Sequence, residues 1–227
     1  MTDVSTSQLA AMIDPSLGGR PAATLAEVNE FLHKVAPYRW AAIEVAPRYV
    51  NAAAEYFHPR KQTVATLISC PLGAMTTEAK LIQMAQALSD GADELDIAMD
   101  LSAFRSGDYT KIADELRAMR SLAGGHTLKV IYYSTILSEA DALRAAELIL
   151  NTGITFLKTN PGFGNVTPPE HVHAIKQRFG KDARVMASGG VRTRRDALAM
   201  IDAGADRIAT SAPFAVLGVE RNAGDVP

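Results

Sequence analysis

Short apolar runs alternate with longer amphipathic stretches along the whole chain. The stretches, such as "TLAEVNEFLHKV" and "YTKIADELRAMRSLAGG", have the spacing of surface helices. The runs are mostly apolar on both faces, which is typical of parallel strands covered by helices. Eight runs are predicted as strands: Met12–Asp14, Ala41–Ala46, Thr63–Ser69, Glu94–Met99, Leu128–Tyr133, Thr155–Thr159, Arg184–Ala187 and Arg207–Thr210. Eight β/α units without a linker predict an α/β fold, a (β/α)8 TIM barrel, as a single domain over residues 1–227.

Glycines and hydroxyl residues mark the predicted ends of the helices. The segments "DGADELDI", "NTGITFLKT" and "DAGADRIAT" each place a glycine where a helix ends shortly before a strand. Glycine fits this position because helix C-caps favour the left-handed conformation. Thr167 and Thr193 each stand three residues before an acid, which predicts capping boxes at two helix starts.

Composition and charge exclude several classes of function. The 23 basic and 25 acidic residues give a net charge of −2, so no electrostatic nucleic-acid partner is expected. The single cysteine, Cys70, rules out a disulfide framework, and the five histidines lack paired metal-ligand spacing, so we expect no metal. The N-terminus does not resemble a secretion signal, and no apolar run has membrane-spanning length. We therefore expect a cytoplasmic protein without a membrane partner.

Polar residues stand at the predicted carboxyl ends of the strands. Because catalytic groups of such barrels gather at that end, this arrangement predicts a site. The most unusual member is a lysine in the apolar segment "GITFLKTNPGFG", since burying an unpaired ammonium is costly. Its side chain either points outward and is ordinary, or points inward and serves a purpose. The set comprises Asp14, Glu44, Asp96, Lys129, Lys158, Ser188 and Ser211.

Several motifs together resemble the deoxyribose-phosphate aldolase family of class I aldolases. The segments "MIDPSL", "GADELDIAMD", "LKVIYYSTIL", "GITFLKTNPGF", "ASGGVRT" and "GADRIATSA" occur in the family's order and spacing, from about Asp14 to Gly218. The resemblance implies a (β/α)8 barrel, no cofactor, and a small aldehyde, keto or sugar-phosphate substrate. Cleavage of 2-deoxyribose 5-phosphate to acetaldehyde and glyceraldehyde 3-phosphate is the activity that it implies first.

The resemblance also implies roles for individual residues. Lys158 matches the lysine that forms the Schiff base, Asp96 an acid of the proton relay, Lys129 a neighbouring basic residue and Asp14 an acid at the first strand. These matches make Lys158, Asp96 and Lys129 the predicted catalytic residues. A lysine in an apolar pocket is expected to have a depressed pKa, and its neutral amine can attack a carbonyl carbon.

The segment "SGGVRT" is the predicted anion site. Its glycines precede a helix, so backbone N–H groups and the positive helix end can meet a phosphate. A glycine turn required only for packing is the alternative. By resemblance, Gly189, Gly190 and Ser211 hold the phosphate, and Ser188 lies beside them.

Four departures from the family pattern fall inside the predicted site. Met186 replaces a second lysine, and Glu44 replaces a cysteine. Asn160 and Pro161 replace small hydroxyl residues, and Ala212 replaces a second serine. Glu44 either acts as an additional acid or base or pairs with Lys129 as a structural residue. We expect Asp14, Glu44, Asn160 and Met186 to line the substrate site.

The departures leave two other functions open. One is a Schiff-base aldolase acting on another, unphosphorylated aldehyde or keto compound. The other is a non-catalytic barrel that binds a ligand, for which Met186 is the best argument. The sequence does not determine the oligomeric state, although the resemblance implies that a homodimer is one candidate.

Overall fold

Eight parallel strands form a barrel in this computed structural model, which describes residues 4–219. The strands follow the order β1-β8-β7-β6-β5-β4-β3-β2, and a parallel bridge between Ser16 and Glu44 joins β1 to β2. The predicted TIM barrel is confirmed. The strands are β1 (Ile13–Pro15), β2 (Ile43–Val45), β3 (Val64–Ile68), β4 (Glu94–Ala98), β5 (Thr127–Ile131), β6 (Phe156–Lys158), β7 (Arg184–Ser188) and β8 (Arg207–Thr210).

Helices follow the strands and cover the outside of the barrel. Each of the amphipathic stretches named from the sequence forms a helix, and short 3₁₀ turns occur at Pro47–Tyr49, His58–Arg60 and Gly180–Asp182. The helices are α1 (Thr6–Ala10), α2 (Leu25–Val35), α3 (Val50–Phe57), α4 (Thr77–Ser89), α5 (Leu101–Arg105), α6 (Tyr109–Ala123), α7 (Glu139–Leu150), α8 (Pro169–Phe179), α9 (Arg194–Asp202) and α10 (Pro213–Leu217).

The core has two layers because successive strand residues point to opposite faces. Leu95 and Ile97 of β4 belong to the large apolar cluster between the strands and the helices. Glu94, Asp96 and Ala98, on the other face of the same strand, point into the barrel. The interior contains two small apolar clusters, one including Ala98 and one formed by Phe156, Met186 and Ala209, together with the charged residues of the site. The charges therefore lie inside a barrel that apolar residues close from outside.

The helix-end signals predicted from the sequence hold at the start of α9 and at three glycines, but not at the start of α8. Thr193 caps α9, and its side chain and that of Asp196 form the predicted capping box. Gly91, Gly153 and Gly204 have φ angles of 102°, 82° and 103°, as the repeat predicted. The prediction for Thr167 was wrong, since Pro168 occupies the N-cap of α8 and makes no side-chain capping bond.

Candidate functional site

Lys158 ends β6 and points into the barrel, where its side chain is 1% exposed. Its Nζ donates to Glu44 Oε2 at 2.6 Å and to Asp96 Oδ2 at 2.7 Å. The inward orientation inferred from the sequence is confirmed. The ammonium is paired with two carboxylates, which offset the free-energy cost of burying its charge.

The pKa of Lys158 differs from the expectation. Burial lowers this pKa, but the charges of Asp96 and Glu44 raise it by more, and the net effect is a pKa above the ordinary value for lysine. The predicted depressed pKa is therefore wrong for the pocket without substrate. It follows that the ammonium must transfer a proton to a neighbour before the amine can attack a carbonyl.

Glu44 lies in the middle of β2 and is 2% exposed. Its Oε1 accepts a hydrogen bond from Ser16 Oγ at 2.5 Å, while Oε2 faces Lys158. The alternative in which Glu44 pairs with Lys129 is wrong. Glu44 also lines the open pocket, so it is placed to meet a substrate.

Lys129 lies one layer deeper in the barrel than Lys158. In the strand register Lys129 is opposite Phe156, whereas Lys158 is opposite Ile131, two residues further along β5. The Nζ of Lys129 contacts Glu94 Oε2 at 2.6 Å, Asp96 Oδ1 at 2.8 Å and Asp14 Oδ2 at 3.3 Å. Burial lowers the pKa of Lys129, but these three carboxylates raise it to a net value above the ordinary one.

Asp96 bridges the two lysines, with one carboxylate oxygen on each. Burial raises the pKa of Asp96, but Lys129 and Lys158 lower it more strongly, so the net pKa lies well below its usual range. Asp96 therefore remains charged. It orders both ammonium groups.

Asp14 is fully buried in β1 and is only loosely paired. Its Oδ2 lies 3.3 Å from Lys129 and 3.5 Å from Arg207, and its Oδ1 has no hydrogen-bond partner among the described residues. Burial raises the pKa of Asp14 to about 6, although Lys129 and Arg207 oppose this effect. Asp14, Glu44, Asp96 and Lys129 all lie within their strands, deeper than the strand ends predicted from the sequence.

Met186 is fully buried and packs with Phe156 and Ala209. In the register of β6 and β7 it is opposite Lys158. Like Lys158, it does not line the open pocket described below, and its predicted contact with substrate stays a prediction. The side of Lys158 that faces β7 is therefore apolar.

Asn160 holds loops together instead of facing the pocket. Its Nδ2 donates to Thr167 Oγ1 at 2.8 Å and to Ser134 Oγ at 3.1 Å, and its Oδ1 accepts from Thr135 Oγ1 at 2.9 Å. Because both amide protons are used in this buried network, the prediction that Asn160 binds substrate is not supported. Thr167 joins the same network through Ser188 O, which explains why it does not cap α8.

An open pocket of about 160 Å³ lies above Glu44 at the carboxyl ends of the strands. Gly189 and Gly190 line it with φ angles of 103° and 79°, and Ser188 and Ser211 lie beside them. Arg20 and Arg192 also line this pocket, so two cations face the space where an anion would bind. The following residues line it: Ser16, Gly19, Arg20, Glu44, Pro161, Gly162, Ser188–Arg192 and Ala209–Ser211.

The start of α9 contributes less to this anion site than the sequence suggested. The carboxylate of Asp196 accepts hydrogen bonds from the N–H groups of Arg192, at 3.1 Å, and Thr193, at 3.0 Å. Asp196 therefore already satisfies these two donors. The glycine turn before them, together with the two arginines, is the part left to bind an anion.

The sequence reasoning missed several residues near the site, among them the pocket residue Arg20. Glu94 and Arg207 complete the deep ion-pair cluster, with 2.5 Å between Arg207 Nη1 and Glu94 Oε2. Strand alternation carried a signal for Glu94, since it stands two residues before Asp96 and must share its face. Ser16 stands two residues after Asp14 in the same way. Cys70 was noted only for its redox meaning; burial raises the pKa of its thiol to about 12, so it stays protonated.

Within residues 4–219, no helix is long and apolar enough to cross a membrane. The same residues contain no group of three or more histidine, cysteine, aspartate or glutamate side chains suited to a metal ion. The polar groups at and below the pocket include the amine of Lys158, its two carboxylate neighbours, two arginines and a glycine turn.

A buried lysine between carboxylates, at the mouth of a (β/α)8 barrel, defines a class of barrel lyases that act through an amine. Comparisons with known proteins identify the family. Residues 6–219 match the model described as "DeoC/LacD family aldolase", and the chain belongs to that family. This match confirms the family that the motifs indicated. It also confirms the prediction of a lyase rather than a non-catalytic barrel.

Curated relatives and solved structures agree with the family assignment. A deoxyribose-phosphate aldolase of Desulfitobacterium hafniense is 36% identical over 94% of this chain and 99% of its own length. One from Staphylococcus carnosus is 35% identical over 87% of this chain and 90% of its own length. The structure titled "QR15, an Aldolase" superposes with a TM-score of 0.88, 34% identity and 96% coverage of both chains. The tetrameric deoxyribose phosphate aldolase of Aeropyrum pernix gives a TM-score of 0.87 at 27% identity, over 94% of this chain and 91% of that one.

Proposed function

We propose that this chain is a class I aldolase that cleaves 2-deoxyribose 5-phosphate to acetaldehyde and glyceraldehyde 3-phosphate through a Schiff base on Lys158. The observation that carries the proposal is the buried amine of Lys158 beside a pocket with an anion-binding rim. The names of the curated relatives supply the substrate. An iminium on this lysine would serve as the electron sink for breaking the adjacent carbon–carbon bond.

The proposed roles follow from the charges around the amine. Lys158 is the nucleophile, and the carboxylate of Glu44, 2.6 Å from its Nζ, is the group to which its proton can pass. Asp96, 2.7 Å from the same Nζ, stays charged and orients the amine. Lys129 neutralises Asp96 from the deeper layer and so keeps that carboxylate in place. Asp14 acts at a distance, by holding Lys129.

The 5-phosphate would bind at the rim of the pocket. Gly189 and Gly190 allow the backbone to approach an anion closely, and Arg20 and Arg192 supply positive charge. Ser211 provides a hydroxyl group at the same rim.

A second candidate is the same cleavage of unphosphorylated aldols. Ala212 supports it, because the chain lacks a hydroxyl group there, and so does Phe163, an apolar side chain 39% exposed beside the pocket residue Gly162. The two candidates differ in one measurable quantity, the ratio of kcat/KM for 2-deoxyribose 5-phosphate to that for 2-deoxyribose. We expect Arg20→Ala to lower this ratio about tenfold or more by removing one charge-assisted contact, with kcat/KM for 2-deoxyribose unchanged.

Borohydride reduction in the presence of acetaldehyde, followed by peptide mass mapping, tests the nucleophile. The expected result is one reduced adduct, on Lys158. Lys80 is a matched internal control, since it is equally buried and pairs with Glu115 at 2.6 Å outside the pocket. Unmodified Lys158 at saturating acetaldehyde, or an adduct on Lys80 instead, would refute the proposal.

The assembly and the compartment are part of the same proposal. The sequence-based expectations of a single cytoplasmic domain and of a homodimer stay predictions, and the Aeropyrum pernix relative is described as a tetramer. Light scattering coupled to size-exclusion chromatography distinguishes a dimer from a tetramer directly.

A further inference from the structure

Glu44 and Ser16 form a hydrogen-bonded pair between the pocket and the nucleophile. We propose that Glu44, supported by Ser16, is the acid–base residue that moves protons to and from the substrate carbon next to the iminium. This proposal rests on the proposed Schiff base at Lys158. In the family pattern a cysteine occupies the position of Glu44 and a second lysine occupies that of Met186. In this chain the proton transfer takes place at Glu44 on β2, on the side of Lys158 away from Met186 and β7.

Of the two carboxylates that contact Lys158, Glu44 is the one that lines the open pocket. Asp96 is fully buried, and each of its oxygens is already held by an ammonium group. A carboxylate fixed between two cations is a weak base, because both charges stabilise its anionic form. Lys129 is enclosed by three carboxylates in the deeper layer and does not line the pocket.

The backbone holds Glu44 in this position from the β1 side. Ser16 forms the bridge that closes the barrel with Glu44, and Leu17 N donates to Glu44 O at 2.9 Å. Gly18 lies directly above, where an added Cβ would stand 3.4 Å from Glu44 Oε1 and 2.8 Å from Leu67 Cδ1. A larger residue at position 18 would press on Leu67 and come into contact with the carboxylate, so the glycine keeps the space around it.

Ser16 is the second half of the arrangement. Its hydroxyl group donates to Glu44 Oε1 at 2.5 Å, and Ser16 is itself a pocket residue. The other oxygen of Glu44 faces Lys158, so the carboxylate is oriented between the nucleophile and the space for substrate.

The proton transfers balance as follows. Glu44 accepts a proton from the Lys158 ammonium, and the free amine adds to the carbonyl carbon to give a carbinolamine. Protonated Glu44 then donates to the carbinolamine hydroxyl group, which leaves as water, and the iminium and the carboxylate remain. The carboxylate next removes a proton from the carbon beside the iminium; that C–H electron pair becomes the enamine double bond, and the iminium π pair returns to nitrogen. In the cleavage direction the carboxylate of Glu44 removes the proton of the substrate hydroxyl group; the O–H pair becomes the new carbonyl bond, the broken carbon–carbon pair becomes the enamine double bond, and the iminium π pair returns to nitrogen. Protonated Glu44 then delivers that proton to the enamine carbon.

Two readouts on Glu44→Gln separate proton transfer from adduct formation. The first is the extent of borohydride trapping of acetaldehyde on Lys158 at equilibrium. The second is deuterium incorporation into the methyl group of acetaldehyde in D₂O, which needs no acceptor and no phosphate. We expect trapping to be retained, because removing the charge of Glu44 lowers the pKa of Lys158 and so favours its free amine. We expect exchange to fall by about 100-fold or more, the usual contribution of a general base.

Chemical rescue and a matched control complete the test. Glu44→Ala opens space at the pocket wall, and added formate is expected to restore exchange in this variant. Glu115→Gln removes a buried carboxylate that also pairs with a lysine, Lys80, but lies outside the pocket, and it should exchange like the wild type once it is shown to be folded. Ser16→Ala is expected to lower exchange about tenfold, within the range for losing one hydrogen bond to a charged group.

Each outcome decides the matter. Glu44→Gln with trapping intact, exchange strongly reduced and formate rescue of Glu44→Ala supports the proposal. Wild-type exchange in Glu44→Gln overturns it. Loss of trapping and exchange together, without formate rescue, overturns it in favour of a purely positioning role for Glu44. If the wild type itself is not trapped, the proposed function fails, which is a separate result from failure at Glu44.

Discussion

Asp14→Asn tests whether the buried charges of the barrel are balanced as the structure implies. The carboxyl of Asp14 has a pKa of about 6 in the folded protein and an ordinary value of 3.8 when exposed. The folded state therefore binds this proton more tightly than the unfolded state does. Its contribution to the free energy of unfolding is undiminished well below pH 3.8, falls as the pH rises toward 6, and stays at its lowest value above that.

The magnitude follows from the difference between the two pKa values. The full difference corresponds to about 3 kcal/mol, of which about 2 kcal/mol is lost between about pH 4.5 and about pH 7.5. The asparagine variant does not titrate. Its free energy of unfolding relative to the wild type should therefore rise by about 2 kcal/mol over that interval, whatever its absolute stability.

Urea denaturation at several pH values, followed by circular dichroism, measures this difference. Thr66→Val is a suitable control, because it removes a buried hydroxyl group on β3 that donates to Val45 O at 2.8 Å and carries no titrating proton. Its effect should not depend on pH. If the difference between Asp14→Asn and the wild type is equally flat, Asp14 is not held in a protonation-favouring site and the reasoning is refuted.

Two further variants test the pocket rim and the apolar side of Lys158. Gly189→Ala should destabilise the fold by about 1–3 kcal/mol and raise KM for a phosphorylated substrate. The reason is that φ is +103° at this residue and the new Cβ would stand 2.7 Å from Asn165 O. An unchanged midpoint of urea unfolding and an unchanged KM would contradict this. Met186→Lys should lower the pKa of Lys158 by placing a like charge opposite it in the strand register while costing roughly 2 kcal/mol of stability. The apparent pKa for borohydride trapping measures the first effect, and a value no lower than that of the wild type would argue against it.

The barrel could be predicted from the sequence because its signals are local and repeated. Each β/α unit carries an apolar run, an amphipathic stretch and, in three units, a glycine at the helix end, and all eight predicted strands are present within about two residues of their predicted ends. Thr167 shows where a local signal fails. Its hydroxyl group reaches Ser188 O across the loop, and that tertiary contact replaces the cap that the spacing favoured.

The sequence predicted which residues belong to the site, but not which of them contact one another. Their presence follows from strand alternation and from the family motifs, but their pairing depends on which strands meet inside the barrel. Glu44 contacts Lys158 over a sequence separation of 114 residues, and nothing local to either residue specifies that contact. The direction of the Lys158 pKa was predicted wrongly for the same reason: the sequence indicated burial, whereas two carboxylates from other strands decide the result.

The charges of the interior explain how the departures fit together. Within residues 4–219, the ion pairs of the barrel interior join four carboxylates, those of Asp14, Glu44, Glu94 and Asp96, to three cations. Replacing a family lysine by Met186 removes a cation, and replacing a family cysteine by Glu44 adds an anion, so both changes make the interior more negative. The charges of Asp96 and Glu44 raise the pKa of Lys158, whereas burial is the main reason why the pKa of Asp14 is raised. A lysine held charged in this way needs a base in direct contact before it can react. Glu44, which stands where the family has a cysteine, both raises the pKa of Lys158 and supplies that base.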